Sequence, residues 1–356
     1  MNPSARRPAI VLTVLGVLLA SCGGSGETPT ASEPAATEGP ADSGAPSASA
    51  ELSATPDLTG ETIRISISAP PQGIDGPIAV MGAVLEEWGA EVDLINQLGQ
   101  PAAIRVVLSD HADVSNTAAT AAMNSGLVVF GALQPRTDWY LVGAPGIESL
   151  DDLRAEGRVY GGANPGGQVE LMWELVQATF DIGDDEVAVR DAGSASARVV
   201  AMLEGQIHAT FAHIDQWQVL TEQGFTTLLV MAEEFPDLAE AYMGSSIFWL
   251  RENPDLAVAI NLAYLEASRI FREDPERWIA ITTEYSGEDE AAIRELYDVV
   301  SAGDLWPITR DAFSLDGCRF SQEAGLLAGI IEDPPPTEDW CIQEYWDEAA
   351  DLAGLP

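Results

Sequence analysis

Four glycines fall between Tyr160 and Gln168, in the run Tyr160-Gly-Gly-Ala-Asn164-Pro165-Gly166-Gly167-Gln168. A short strand is expected just before them and a helix just after. Asn164 suits the N-cap and Pro165 the first helical position. Gly166 and Gly167 would then leave the first-turn amides uncovered by side chains. Those amides carry the positive end of the helix dipole and would suit a carboxylate, sulfonate or phosphate. A tight turn with an ordinary cap is the plainer reading. Neither G-x-G-x-x-G nor a Lys after the loop is present, which excludes the Rossmann fingerprint and the P-loop.

Other reactive side chains are few. His111 lies beside Asp110 and Asp113 but lacks a third strong ligand, and His208 and His213 are five residues apart. In a strand those two would point to opposite faces, so no metal site is expected. No G-x-S-x-G elbow and no H-E-x-x-H occurs. All 16 basic residues are Arg, so no Lys can hold pyridoxal phosphate as a Schiff base. No cofactor is expected.

The N-terminus reads as an address. Arg6 and Arg7 precede an apolar run from Pro8 to Ala20 that is too short to span a membrane. The ending Leu19-Ala20-Ser21-Cys22 resembles a bacterial lipobox. It implies a signal peptide over residues 1–21 and lipidation of Cys22. Residues 22–57 hold hardly a large apolar side chain and are expected to form a disordered acidic tether. The formal net charge of −41 makes nucleic acid and anionic lipid surfaces poor partners. Outside the cytoplasm, Cys318 and Cys341 are expected to form a disulfide.

The elements that must position any site follow from periodicity. TIRISIS over Thr62–Ser68 alternates as a strand, and Pro77 opens a helix ending near Trp88. Strands are expected at Val92–Leu98, Ala112–Ala122, Leu127–Leu133 and Trp139–Val142. From Glu186 to Met231 short strands alternate with helices, one of them capped by Ser194 or Ser196, which predicts a parallel βαβ lobe. Beyond Met243 the pattern is mostly helical. Asn253-Pro254 and Asp274-Pro275 are cap-then-proline helix starts, and Trp340–Leu352 closes the chain as a helix.

With these elements in place, the chain resembles the substrate-binding lipoproteins of ABC importers, in the group of aliphatic-sulfonate, nitrate and thiamine-precursor binding proteins. The resemblance covers about residues 60–356. It is carried by Ile147-Glu-Ser-Leu-Asp-Asp-Leu153, Ala201-Met-Leu-Glu-Gly205-Gln-Ile-His-Ala209, Asn253-Pro-Asp-Leu256 and Trp346-Asp-Glu-Ala-Ala-Asp-Leu-Ala-Gly354. His208 departs from it, standing where the family usually has Asp. The resemblance implies an α/β, two-lobed periplasmic-binding-protein-like fold, each lobe a mostly parallel sheet flanked by helices. Lobe 1 would combine 58–143 with 243–356, and lobe 2 would span 146–240. The ligand would lie in the cleft between them, at loops that follow strands. Candidates are Gln72, Gly73, Asp75, Asn116 and Thr117 from the first lobe. From the second they are Asn164, Gly166, Gly167, Gln168, Ser194, Ser196, His213, Asp215 and Trp217. Arg198 could pair an anion or lie on the surface. A slight preference falls on an anion or a polar heterocycle.

The expected partners are a small-molecule ligand and an ABC permease in the membrane, with the protein itself a monomer. An enzyme on the same architecture, like the thiamine-pyrimidine synthases, is disfavoured by the absence of Lys. A surface scaffold lipoprotein would leave the cleft-forming pattern unexplained.

Overall fold

The computed structural model describes residues 55–162, 168–303, 305–306 and 308–356. The expected signal peptide, Cys22, nearly all of the tether, and Asn164, Gly166 and Gly167 of the glycine loop lie outside them. Residues 49–356 make one compact unit.

Ten strands form two five-stranded sheets. They are β1 (Thr62–Ile67), β2 (Glu91–Asn96), β3 (Val114–Thr117), β4 (Val128–Gln134), β5 (Trp139–Gly143), β6 (Val159–Gly162), β7 (Ala188–Asp191), β8 (Ala209–His213), β9 (Thr226–Val230) and β10 (Ala241–Ser245). The first sheet runs β2-β1-β3-β10-β4 and the second β7-β6-β8-β5-β9. The two orders have the same form: a parallel trio, then the strand that crosses from the other lobe, then an edge strand.

Those crossing strands make each sheet mixed. β1 pairs parallel with β2 and β3, while β10 is antiparallel to β3 and β4. β6 pairs parallel with β7 and β8, while β5 is antiparallel to β8 and β9. The parallel βαβ expectation for the second lobe is therefore corrected at β5. That strand enters from the first lobe, so it runs against its neighbours. Trp139–Gly143, assigned to lobe 1 from the sequence, is part of the second sheet. The chain leaves the first sheet between Gln134 and Trp139 and returns between Val230 and Ala241.

Two further expectations change. Of Ala112–Ala122 only Val114–Thr117 is strand, and Ala119–Ser125 is helical. The small residues of that run favour a helix once Ala119, Thr120 and Ala122 can be buried. The closing helix is broken into Thr337–Trp340 and Glu344–Leu352. Between them Cys341 forms a bridge beside β4, and Ile342 N donates to Val129 O at 2.8 Å. The Cys318 and Cys341 sulfurs lie 2.11 Å apart, with Cα atoms at 6.5 Å.

Both proline-started helices form, but the Asn253 side chain does not cap the first: it donates back to Trp249 O at 2.9 Å. Pro254–Glu273 packs a long buried face that includes Ile260, Tyr264 and Phe271, and the Asp274 side chain caps Pro275–Ser286 by accepting from Arg277 N. The first core gathers Ile63, Ile65 and Ile67 of β1 with these helices. The second sheet carries separate cores, one built on Tyr160 stacked against Trp173 at 4.0 Å. Among the described residues no helix is long and apolar enough to cross a membrane.

Candidate functional site

A cavity of about 660 Å³ opens between the two sheets. That volume falls within the range typical of small-molecule sites. Its wall is built from strand ends of both lobes. The first lobe supplies Ser68, Ala69, Gln72, Gly73 and Asp75 after β1, Asn116 at the end of β3 and Gln134 at the end of β4. The second supplies Ser194 and Ser196 after β7, His213 at the end of β8, and Asp215 and Gln216 in the helix Ile214–Glu222.

Backbone chemistry fixes several of these positions. The short 3-10 turn Gly73–Asp75 presses against the helix Glu290–Ala302 so closely that a Cβ on Gly73 would lie 2.6 Å from Ile293 Cδ1. Gly73 N donates to Glu288 Oε1 at 3.0 Å, joining the turn to that helix's approach. Asn116 Oδ1 accepts from Ser68 N at 2.8 Å and ties the ends of β3 and β1 together. Ser194 caps the helix Ala195–Leu203 by accepting from Ala197 N, which answers the choice between Ser194 and Ser196.

Of the two crossing segments, Glu240 lines the cavity, and the segments are bonded to each other and to both sheets. Thr137 Oγ1 donates to Glu240 Oε2 at 3.2 Å, and Glu240 N donates to Gln134 O at 2.9 Å. His213 Nδ1 donates to the Asp138 carboxylate, with oxygens at 3.0 Å and 3.1 Å, and its ring lies 3.5 Å from that of Trp139. The end of β8 is thereby pinned to the outgoing crossover.

Several ionisable groups of the wall are perturbed. Burial pushes Asp75 up to about 7, and Glu288 adds to the rise against a hydrogen bond from Gln72 and the field of His213. Burial and the nearby Asp138 push Glu240 up to about 7. Asp215 is raised by desolvation, partly countered by His213. For His213, burial disfavours the imidazolium, but Asp138, Glu240 and Asp215 outweigh it and raise its pKa.

Most of the sequence-derived candidates meet at this cavity: Gln72, Gly73, Asp75, Asn116, Ser194, Ser196, His213 and Asp215. Thr117 does not. It is fully buried, and its hydroxyl donates to Ala118 O at 3.3 Å. Trp217 does not either, because its helix turns it back onto the sheet. It stacks on Tyr140 at 4.4 Å and donates from Nε1 to Thr227 Oγ1 at 2.7 Å. Gln168 opens its helix and is not among the lining residues.

Arg198 is neither a surface residue nor a ligand to the cavity. It is 2% exposed, donates to Gly193 O and Phe211 O, and sits 5.6 Å over the Trp139 ring. Asp113, weighed beside His111, is committed to Arg64 at 2.6 Å. Sequence reasoning missed Gln134, Glu240 and Glu288 on the wall and Asp138 behind His213. Gln134 is the last residue of β4, Glu240 and Asp138 come from the crossings, which carry no periodic signal, and Glu288 is 215 residues from the Gly73 it meets.

Two lobes joined by paired crossings, with a polar cleft at the ends of their strands, define the architecture of a two-lobed periplasmic binding protein. The NMT1/THI5-like family model matches residues 85–278. That is more than half of the 356-residue chain, and the chain belongs to this family. The periplasmic sulfonate-binding protein SsuA from Methylobacillus flagellatus KT shares the fold, with a TM-score of 0.65 at 17% identity over 84% of this chain and 96% of that one. The periplasmic nitrate-binding protein NrtA from Synechocystis PCC 6803 does so at 0.63 and 12% identity over 83% and 90%. The desulfurization enzyme DszB also shares it, at 0.58 and 14% identity over 82% and 99%. No curated protein sequence matches the chain.

Proposed function

We propose that the protein is an extracytoplasmic, lipid-anchored solute-binding protein that captures a small polar molecule between its lobes and delivers it to an ABC permease. The observation that carries this reading is the position of the cavity. Strand ends of both sheets converge on it, and two chain crossings join the sheets, an arrangement that would allow the lobes to close on a ligand. The family membership and the binding-protein neighbours support it. Lipidation of Cys22 and a tether to the membrane are part of the same proposal, and the protein would act as a monomer.

Closure is the test. A ligand found by screening sulfonates, carboxylates, nitrogen heterocycles and amines should raise the melting temperature and reduce the scattering radius of the protein. A panel that moved neither would remove the reading. Replacing Cys22 by Ser should release the protein from the membrane fraction, and persistent anchoring would reject the lipid.

One observation favours an enzyme as the second reading. The Asp138–His213 pair and two carboxyls near neutrality could transfer protons, and DszB shows that this fold can host an enzyme. The two described cysteines lie within bonding distance of each other, which speaks against thiol chemistry. Turnover of a bound compound would favour the enzyme.

A further inference from the structure

The cleft wall carries the wrong charge for an oxyanion. Asp75, Asp215, Glu222, Glu240, Glu288 and Glu295 line it, and His213 is the only basic side chain among its described residues. The residues Ala163–Gly167 of the glycine loop contain no charged side chain. Arg198, the guanidinium considered for an anion, is buried over Trp139, donates to two backbone carbonyls and is not among the lining residues.

An acidic wall alone could be nothing more than a solvated surface. Asp75 is different. It is only 9% exposed, it lines the cavity, and its Oδ2 has no hydrogen-bond partner among the described residues. The other buried lining atom without a partner is Gln216 Oε1. Both are acceptors. Buried acceptors of this kind are normally satisfied, so these two call for donors brought by a ligand. Among the described residues no group of three or more His, Cys, Asp or Glu side chains could hold a metal ion.

We propose that the cleft binds an organic cation, a protonated amine or cationic nitrogen heterocycle, with an N–H donated to the Asp75 carboxylate and its charge held among the wall carboxylates. This rests on the solute-binding reading and sets the protein apart from the sulfonate- and nitrate-binding proteins that share its fold.

The pH dependence of binding separates a cation from an anion. Asp75 is faced by Gln72 on its own turn, Glu288 before the helix Glu290–Ala302, Tyr285 on the helix Pro275–Ser286 and His213 on β8. Glu240 is faced by Thr137 and Asp138 of the other crossing and by His213. A cation needs these carboxyls ionised, so its affinity rises as pH climbs through about 7 and then levels off. An anion would bind more weakly over the same interval.

The experiment is calorimetric titration of the full chain with putrescine, agmatine, histamine and 4-aminopyridine, against methanesulfonate and nitrate. At least one cation should bind, more tightly at about pH 8 than at about pH 6. Asp75→Asn should weaken that cation about tenfold to a hundredfold, as loss of a charged hydrogen bond does. Glu240→Gln, measured beside it, should reduce the pH dependence. Tighter binding of methanesulfonate or nitrate than of every cation would overturn the proposal while leaving the solute-binding reading in place. So would cation binding indifferent to Asp75→Asn. If no probe of either sign bound or moved the melting temperature, both would fall together.

Discussion

Asp75 stands at the centre of the site because it is buried at the cavity wall with one oxygen unsatisfied. A carboxyl held near 7 in the fold and near 3.8 in the unfolded chain binds its proton more tightly in the native state. Stability is therefore lost as pH rises between those two values, and above about 7 the whole cost is present. Asp75→Asn removes that cost. The variant should match the parent near pH 4 and exceed it above neutrality by on the order of 2–4 kcal/mol. Denaturant melts at several pH values check this, and a variant less stable than the parent at pH about 8 would contradict it. A buried carboxyl that lowers stability where it stands, at the wall of a cleft, fits a binding role better than a structural one.

At the scale of elements, one contact in the first lobe leaves no spare volume. β4 and the helix Pro254–Glu273 meet at Gly131, where an added Cβ would lie 1.8 Å from Asn261 Oδ1. Asn261 is fully buried and donates to Phe130 O at 3.0 Å, so it has no room to retreat. Gly131→Ala should cost about 1–3 kcal/mol in a denaturant melt, with the cleft residues untouched. An unchanged midpoint would show that the helix can shift.

The element order of the second lobe and the proline-started helices were legible from spacing alone, because local patterns encode them. So were the turns after β1, β7 and β8, where Gln72, Ser194 and His213 lie. The antiparallel course of β5 and β10 was not, since direction within a sheet depends on which lobe the chain arrives from. Trp217 misled for a related reason. Its place next to Asp215 suggested the cleft, but two helical positions turn a side chain well away from its neighbour, toward Tyr140. Glu240 and Glu288 gave no sequence signal because a crossing and a distant helix approach bring them in.

For the whole molecule, the net charge of −41 first reads as a property of the surface. The cleft gives part of it a purpose, since carboxylates from both lobes and from the crossings converge on a cavity whose described wall offers one imidazole. Like charges facing each other across the cleft oppose closure, and a cation between them relieves that repulsion. On the proposed reading, closure and ligand charge are one event: the cation held by Asp75 would draw the lobes together. The most direct measurement is native mass spectrometry of the gently purified full chain. The account predicts one small molecule per chain, identified on release as a nitrogen cation and lost from Asp75→Asn. A parent protein that flies at its bare mass, or an adduct retained undiminished by the variant, would contradict it.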